Sequence, residues 1–512
     1  MKFSAPYTLA FDCGTTGCKG ILVDGEGFLV DKVIRKYSSI SLKSGYLEQN
    51  SMTWWASIKD TTREVMKKND VKPDELTGIG FCGTMAAALP IDRTGKTLRN
   101  AILYADMRAT DQCEELVKSF ERKYIYNLTG NPLSPVYPLA KWMWIKENEP
   151  EVFEKTFKFI QPKDFLVLKS TDEIVTDYVD ASATMAFDIN KRKWTDELLN
   201  FAGIPSDMLP EPQPSMNIAG ELTGRAAGEL GLKKGLPVVV GSGDTAALLI
   251  GARSVEHAYA TVYLGAAAEI DLTTDKPLFD PDGRIPVRCH AIPDMWFNSA
   301  SSVTSGTALT WFVEHLCESG GSRLYEKLDR KALKISPGSG GLVFMPYLSG
   351  ERVPIWDPKA RGAFIGINLS SRRAHFYRAV LEGAAFSLRN IMDTYKKFVS
   401  DFRGISMSGG GAESEIWKHI VVDVLGVRCS DLMYPGDAGA IGVATYIGVA
   451  LGGKNRIVDI LDKIVRVKGT VLPNEKEKAI YDEFYRIYCK CYPAVAEIMH
   501  ALVDSQTRFG AR

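Results

Sequence analysis

The stretch YTLAFDCGTTGCKGILVDGEGFLVDKV, residues 7–33, constrains the fold most. An apolar run from Tyr7 to Phe11 ends at Asp12, and Gly14-Thr15-Thr16-Gly17 turns the chain. An extended run resumes from Gly20 to Val23, Asp24-Gly25-Glu26-Gly27 makes a second turn, and Phe28 to Val33 returns. A Gly-rich turn that leads into a strand excludes a Walker loop and a Rossmann turn, because both need a helix after the glycines. The plan recurs about 250 residues later in HAYATVYLGAAAEIDLTTDKP, with a strand at Tyr259 to Leu264, a turn at Gly265 to Ala267 and a strand at Glu269 to Leu272. One unit met twice predicts duplicated α/β domains, 1–247 and 248–512, with a cleft between them. Turn amides form anion-binding concavities, so two such hairpins could clamp a chain of phosphates. Small residues are also ordinary turn chemistry, and the pattern leaves both readings open.

A second stretch, LPVVVGSGDTAALLIGA at 236–252, fits the G-x-G-x-x-G/A pattern of a dinucleotide turn. Such a loop seats pyrophosphate on backbone amides at a helix N-terminus. Asp244 inside it would compete for those amides and repel the phosphates. The acids nearest the expected ribose position, Glu256 and Glu269, are badly placed. The alternative is chemical: a carboxylate at a strand end, beside Thr245, can take the proton of a hydroxyl that attacks the γ-phosphate of ATP. Asp12, at the mouth of the first hairpin, is then the carboxylate for Mg²⁺, acting through coordinated waters. Either acid can equally be a cap or turn residue on pattern alone.

Between these stretches, helix alternates with strand. Ser51 to Met66 reads as a helix with Ser51 and Thr53 as N-cap candidates, Arg372 to Phe398 as a long amphipathic helix, and 474–503 as a terminal helix or helix pair, broken or kinked around Pro493. The chain has 62 basic and 62 acidic residues and no basic stripe, which argues against nucleic acid as the main partner. No apolar run reaches 18 residues and no leader pattern opens the sequence, so a cytoplasmic protein without a membrane partner is expected. The nine cysteines are scattered, and Cys489-x-Cys491 has no second pair, which predicts reduced, mostly buried thiols rather than zinc.

The chain resembles the FGGY carbohydrate kinases, members of the actin-like, hexokinase-like ATPase superfamily, over nearly its whole length. FDCGTTGCKGILVD is similar to the family's first phosphate motif, GSGDTAA to its catalytic-base loop, and PYLSGERVPIWDPKARGAFIGI to its second-domain signature. AILYADMRA resembles a sugar-side Asp-x-Arg element, and MSGGGAESEIWKHIVVDVLGV the adenosine motif. The resemblance implies an α/β fold of two actin-like (ribonuclease H-like) domains and an ATP- and Mg²⁺-dependent kinase for a small sugar or polyol. It makes Asp244 the base and Asp12 the metal-side acid. Thr15, Thr16 and Gly265 would border phosphate, with Gly306, Gly410, Gly411 and Ser414 around the nucleotide. Met85, Asp106, Arg108 and Thr245 would lie on the sugar side, with Trp54 or Trp55 either an apolar wall or core. A homodimer is compatible with this reading. Two departures stand out: Ala266, Ala267 and Ala268 replace a hydroxyl-bearing hairpin, and Met85-Ala86-Ala87 stands where xylulose kinases often carry Met-His-Gly. The acceptor implied is a ketopentose such as xylulose, with another ketose, an alditol or gluconate as alternatives. A non-catalytic ATP-binding protein and a nicotinamide-dependent dehydrogenase are the rival classes.

Overall fold

The computed structural model describes residues 4–317, 322–400, 402–452 and 457–510. The chain divides into two compact units, and neither is contiguous. The first comprises 1–255, 274–298 and 437–466, and the second 256–273, 299–436 and 467–512. The first therefore takes in 248–255, 274–298 and 437–466, which a single cut at 247/248 would assign to the second half.

In the first unit the sheet runs in the order Ile218–Glu221, Pro237–Val239, Leu76–Gly83, Tyr7–Cys13, Gly17–Asp24 and Leu29–Lys36. Tyr7–Cys13 and Gly17–Asp24 form the predicted hairpin, and Leu76–Gly83 lies parallel to the first of them. The short strand Ser242–Gly243 also pairs parallel with Leu76–Gly83. The second unit repeats this core: Tyr259–Leu264 and Ala268–Thr274 form a hairpin, and Gly404–Ser408 lies parallel to the first strand. Its sheet continues from Gly404–Ser408 to Cys429–Leu432 and Val467–Val471. The duplication read from the Gly-containing turns is thus present in the strand pairing.

One face of Leu76–Gly83 is made nearly smooth by Gly78 and Gly80. A Cβ on Gly78 would lie 2.6 Å from Ile447, and one on Gly80 2.9 Å from Val443. The helix Ala438–Leu451, apolar on all sides as a buried helix should be, packs directly on that face. It crosses the helix Asp244–Gly251 backbone to backbone. A Cβ on Gly442 would overlap the Ala247 carbonyl oxygen and lie 2.7 Å from its carbon, and a Cβ on Gly251 would overlap the carbonyl of Ala438 in the same way.

Two local expectations change. Helix Ser51–Lys68 is capped by Asn50, whose side chain accepts from the Met52 N–H, rather than by Ser51 or Thr53. Asn is as good a cap and stands one residue earlier. The terminal element is one 35-residue helix, Glu475–Phe509, which passes through Pro493 unbroken; Tyr481, Tyr485, Tyr488 and Cys491 are buried along its inner face and hold it to the second unit. Trp54 and Trp55 are core, their indole N–H groups donating to Gln49 (3.0 Å) and Glu229 (2.7 Å). All nine cysteines are free thiols. Among the described residues no helix is long and apolar enough to cross a membrane.

Candidate active site

Strand register brings the two acids of the first unit together. Asp12 pairs with Cys82, which pairs with Ser242; one step further, Cys13 pairs with Gly83, and Gly83 with Gly243. Asp244 follows at once as the first residue of its helix. Three parallel strands therefore end side by side, the place where sheets of this kind bind ligands, and Asp12, Cys82 and Asp244 stand at their ends. The Cys82 thiol donates to Asp12 at 3.5 Å. Burial pushes that thiol well up, and the neighbouring charges of Asp12 and Asp244 push it further. Burial likewise raises the Asp12 carboxyl, against the lowering effect of Lys19.

Asp12 lies against the start of helix Ala438–Leu451, where a Cβ on Gly439 would sit 2.6 Å from its Oδ2. Asp437, just before that helix, is paired with Lys19 at 3.0 Å and Lys32 at 2.9 Å. Sequence reasoning passed over this segment, although Pro-Gly-Asp-Ala-Gly-Ala before an apolar run is a visible helix start with room for close approach. The first hairpin turn is braced from behind. Tyr37 donates to the Gly14 carbonyl at 2.6 Å, and Gln49 to the Thr15 carbonyl at 2.6 Å. The amides of Gly14, Thr15 and Thr16 donate to no other described residue. Thr16 is exposed, and Thr15 contacts Thr84 through their hydroxyls (3.4 Å).

Met85 is buried across the strand end: a Cβ on Gly243 would meet its sulfur at 2.5 Å. Thr245 is half-buried, its N–H donating to Asp244 at 2.8 Å. Asp106 and Arg108 are turned to one another. Arg108 donates to both oxygens of Asp106 (2.9 and 2.7 Å), Leu47 N–H donates to the same carboxylate, and Asp106 is fully buried. Arg108 also pairs with Glu48 at 2.8 Å and lies over the rings of Tyr46 and Trp144. These two residues form a closed ion pair that shapes the 104–108 turn. A fully buried group lies behind the strand ends, where Lys163 approaches Asp164 (2.7 Å), Asp177 (3.3 Å) and Asp180 (3.7 Å). Burial alone would lower the Lys163 ammonium, and these carboxylates outweigh it.

In the second unit, helix Gly306–Leu316 begins on the second hairpin. Gly306 N–H donates to the Gly265 carbonyl, and Ser305 and Thr307 donate to that of Ala266. A Cβ on Gly306 would come 3.1 Å from the Gly265 carbon. The hairpin's carbonyls are thereby occupied, while the amides of Ala266 and Ala267 donate to no other described residue. Glu351 braces the segment behind, accepting from Val303 N–H at 2.8 Å; burial pushes its carboxyl up to about 7 against its hydrogen bonds. Gly411 is needed for packing, since a Cβ there would lie 2.8 Å from both Leu264 and Trp417, whereas a Cβ on Gly410 would meet nothing within 4 Å. Ser414 is committed to structure: it caps helix Glu415–Leu425 and donates to Asp329 at 2.9 Å.

A doubled hairpin-and-parallel-strand core, with acids at its strand ends, is the fold of the actin-like ATPases. The chain belongs to the FGGY family of carbohydrate kinases: the N-terminal domain of that family matches residues 7–251 and its C-terminal domain 269–451. It is an ATP-dependent sugar kinase. It is 30% identical to a xylulose kinase of Lactococcus lactis over 97% of this chain and 99% of that one. It is also 30% identical to a gluconokinase of Bacillus subtilis, over 82% of each. The structure of a ligand-bound xylulose kinase from Lactobacillus acidophilus superposes with a TM-score of 0.86 at 25% identity, covering 96% of this chain and 98% of that one. Family membership removes the dehydrogenase reading.

Proposed function

We propose that this kinase transfers the γ-phosphoryl group of ATP to a primary hydroxyl of a small sugar in the cytoplasm, with a ketopentose such as xylulose as the first candidate. The observation that carries the reading is the register that ends three parallel strands at Asp12, Cys82 and Asp244. Asp244 accepts the proton of the attacking hydroxyl. Its place at the first turn of a helix suits a carboxylate, because the helix N-terminus carries partial positive charge. The loose transition state of phosphoryl transfer leaves little covalent work to the protein, so positioning and charge stabilisation dominate. Unengaged amides at Gly14–Thr16 and at Ala266–Ala267 supply backbone donors for phosphate oxygens. Gly410 offers open space beside the nucleoside.

Asp12 fits Mg²⁺ of the kind held by one or two carboxylates, waters and substrate phosphates. Among the described residues no group of three or more His, Cys, Asp or Glu that could hold a metal ion lies together. The ion, when bound, would neutralise charge on the phosphates. Met85, beside Gly243, borders the acceptor, while Asp106 and Arg108 act from behind by fixing their turn. Gluconate is the second reading, favoured by the gluconokinase relative and by Ala86 and Ala87, which offer no imidazole to a ketose.

A panel of sugars, alditols and sugar acids assayed by coupled ADP release tests the acceptor. Asp244→Asn should lower kcat by about 10²–10⁴-fold, the usual worth of a positioned base, and leave ATP binding by calorimetry within twofold. A variant that keeps more than a tenth of the wild-type rate would remove Asp244 from the role.

A further inference from the structure

Lys141 is a fully buried lysine in helix Pro138–Asn148, and among the described residues its Nζ hydrogen-bonds no carboxylate. It donates instead to two carbonyl oxygens, Ala86 at 2.9 Å and Leu103 at 2.7 Å. A buried amine is expensive to desolvate, and an apolar side chain would fill the volume at less cost. What the amine alone provides is the position of those two carbonyls.

Both belong to turns beside the candidate site. Ala86 has φ of +58°, the left-handed region that non-glycine residues avoid and keep only where their surroundings impose it. Its peptide group is held on both sides: the carbonyl by Lys141, and the following N–H, of Ala87, by Gln161 Oε1 at 3.4 Å. Met85, one residue earlier, packs on Gly243 next to Asp244. The Leu103 carbonyl also accepts from the Asp106 N–H at 3.1 Å and so anchors the turn that carries Arg108.

We propose that Lys141 is a positioning residue for the acceptor: its amine holds Ala86 in the left-handed conformation, ties that turn to the 103–106 turn, and thereby sets Met85 against the strand end at Asp244. This rests on the reading that Met85 borders the acceptor. The bonding is complete with two N–H donors, which the neutral amine possesses. Burial pulls the Lys141 ammonium down to about 7, with Asp106 raising it and Arg108 lowering it as the charged groups nearby. The clamp therefore survives loss of the third proton.

The test is steady-state kinetics of K141M, alone and with A86G, on the best acceptor of the panel. K141M should raise the acceptor KM at least tenfold (about 1.4 kcal/mol) and move the ATP KM less than twofold. Glycine adopts positive φ freely, so A86G in the K141M background should return the acceptor KM to within threefold of wild type. A general loss of fold would not show this rescue. K141Q, which keeps an amide donor, supplies the same comparison should K141M not accumulate as folded protein. An acceptor KM within twofold of wild type, or a defect shared equally by ATP and acceptor and not relieved by A86G, would overturn the inference alone. A wild-type protein that releases ADP with no acceptor in the panel would overturn the functional reading and this inference with it.

Discussion

The crossing of helices Asp244–Gly251 and Ala438–Leu451 can be tested by adding one methyl group. Gly442→Ala should by helix propensity alone stabilise the chain by about 0.5–1 kcal/mol, because glycine loses more backbone entropy on folding. The structure opposes this gain. The new Cβ would overlap the Ala247 carbonyl oxygen and stand 2.7 Å from its carbon, both rigid backbone atoms that no rotamer can move aside. Ordinary contact begins near 3.4 Å, so the carbon alone asks the helices to part by about 0.7 Å, and the nearer oxygen asks for more. A gap of 0.5–1 Å forfeits about a quarter to a half of each dispersion contact across it, and overpacking of this kind costs about 1–3 kcal/mol. The net effect is destabilisation by about 1–2 kcal/mol, or roughly 1.5–3 °C in the melting of a unit this size. On the Asp244 reading, tilting its helix by a comparable distance should also lower kcat by up to about 10²-fold. Gly228→Ala is the control: a Cβ there, in helix Gly224–Leu230, meets nothing within 4 Å and should stabilise by about 0.5–1 kcal/mol. Differential scanning calorimetry and ADP-coupled rates read both. A G442A protein that melts at or above wild type with an unchanged kcat would refute the argument that the glycine pair sets the acid's position.

Two further outcomes follow from single positions. Gly410→Leu should fold normally, since a Cβ at Gly410 meets nothing within 4 Å, and should raise the ATP KM about tenfold or more by filling the nucleoside's space; an unchanged ATP KM places the nucleoside elsewhere. Glu351, pushed up to about 7 in the fold by burial from an ordinary value of 4.5, binds more protons folded than unfolded between those pH values. Its contribution is therefore fully present below pH 4.5 and lost as pH rises through about 7, with a slope approaching about 1.4 kcal/mol per pH unit; Glu351→Gln should flatten that part of the stability profile measured by urea unfolding, and an unaltered slope assigns it to other groups.

The hairpins were legible because glycines at 14, 17 and 265 interrupt apolar runs at a spacing that only a strand-to-strand turn satisfies. Asp12 and Asp244 were legible for the same local reason, each ending such a run. What the chain's order conceals is long-range. Nothing near residue 78 or 80 announces that a helix from position 438 onward will press on those glycines, so the first unit's return at 437–466 stayed hidden. Asp106 and Arg108 show the converse. Their spacing was visible, yet the bidentate closure of one on the other depends on Glu48, Tyr46 and Trp144 arriving from elsewhere. Around Pro493 the sequence left one helix or a pair open, and the single helix prevails because burial of the tyrosines before it outweighs the missing hydrogen bond.

The late return of residues 437–466 also bears on synthesis. When the ribosome has delivered residue 255, the sheet of the first unit still lacks the helix that covers Gly78 and Gly80, and Val239 beside Gly80 is without part of its final surroundings. At about 5–20 residues per second, the missing helix follows about 10–40 s later. The nascent chain thus spends that interval with an apolar sheet face uncovered, and chains truncated before residue 437 should give less soluble protein than the full chain, as sedimentation of lysates would read.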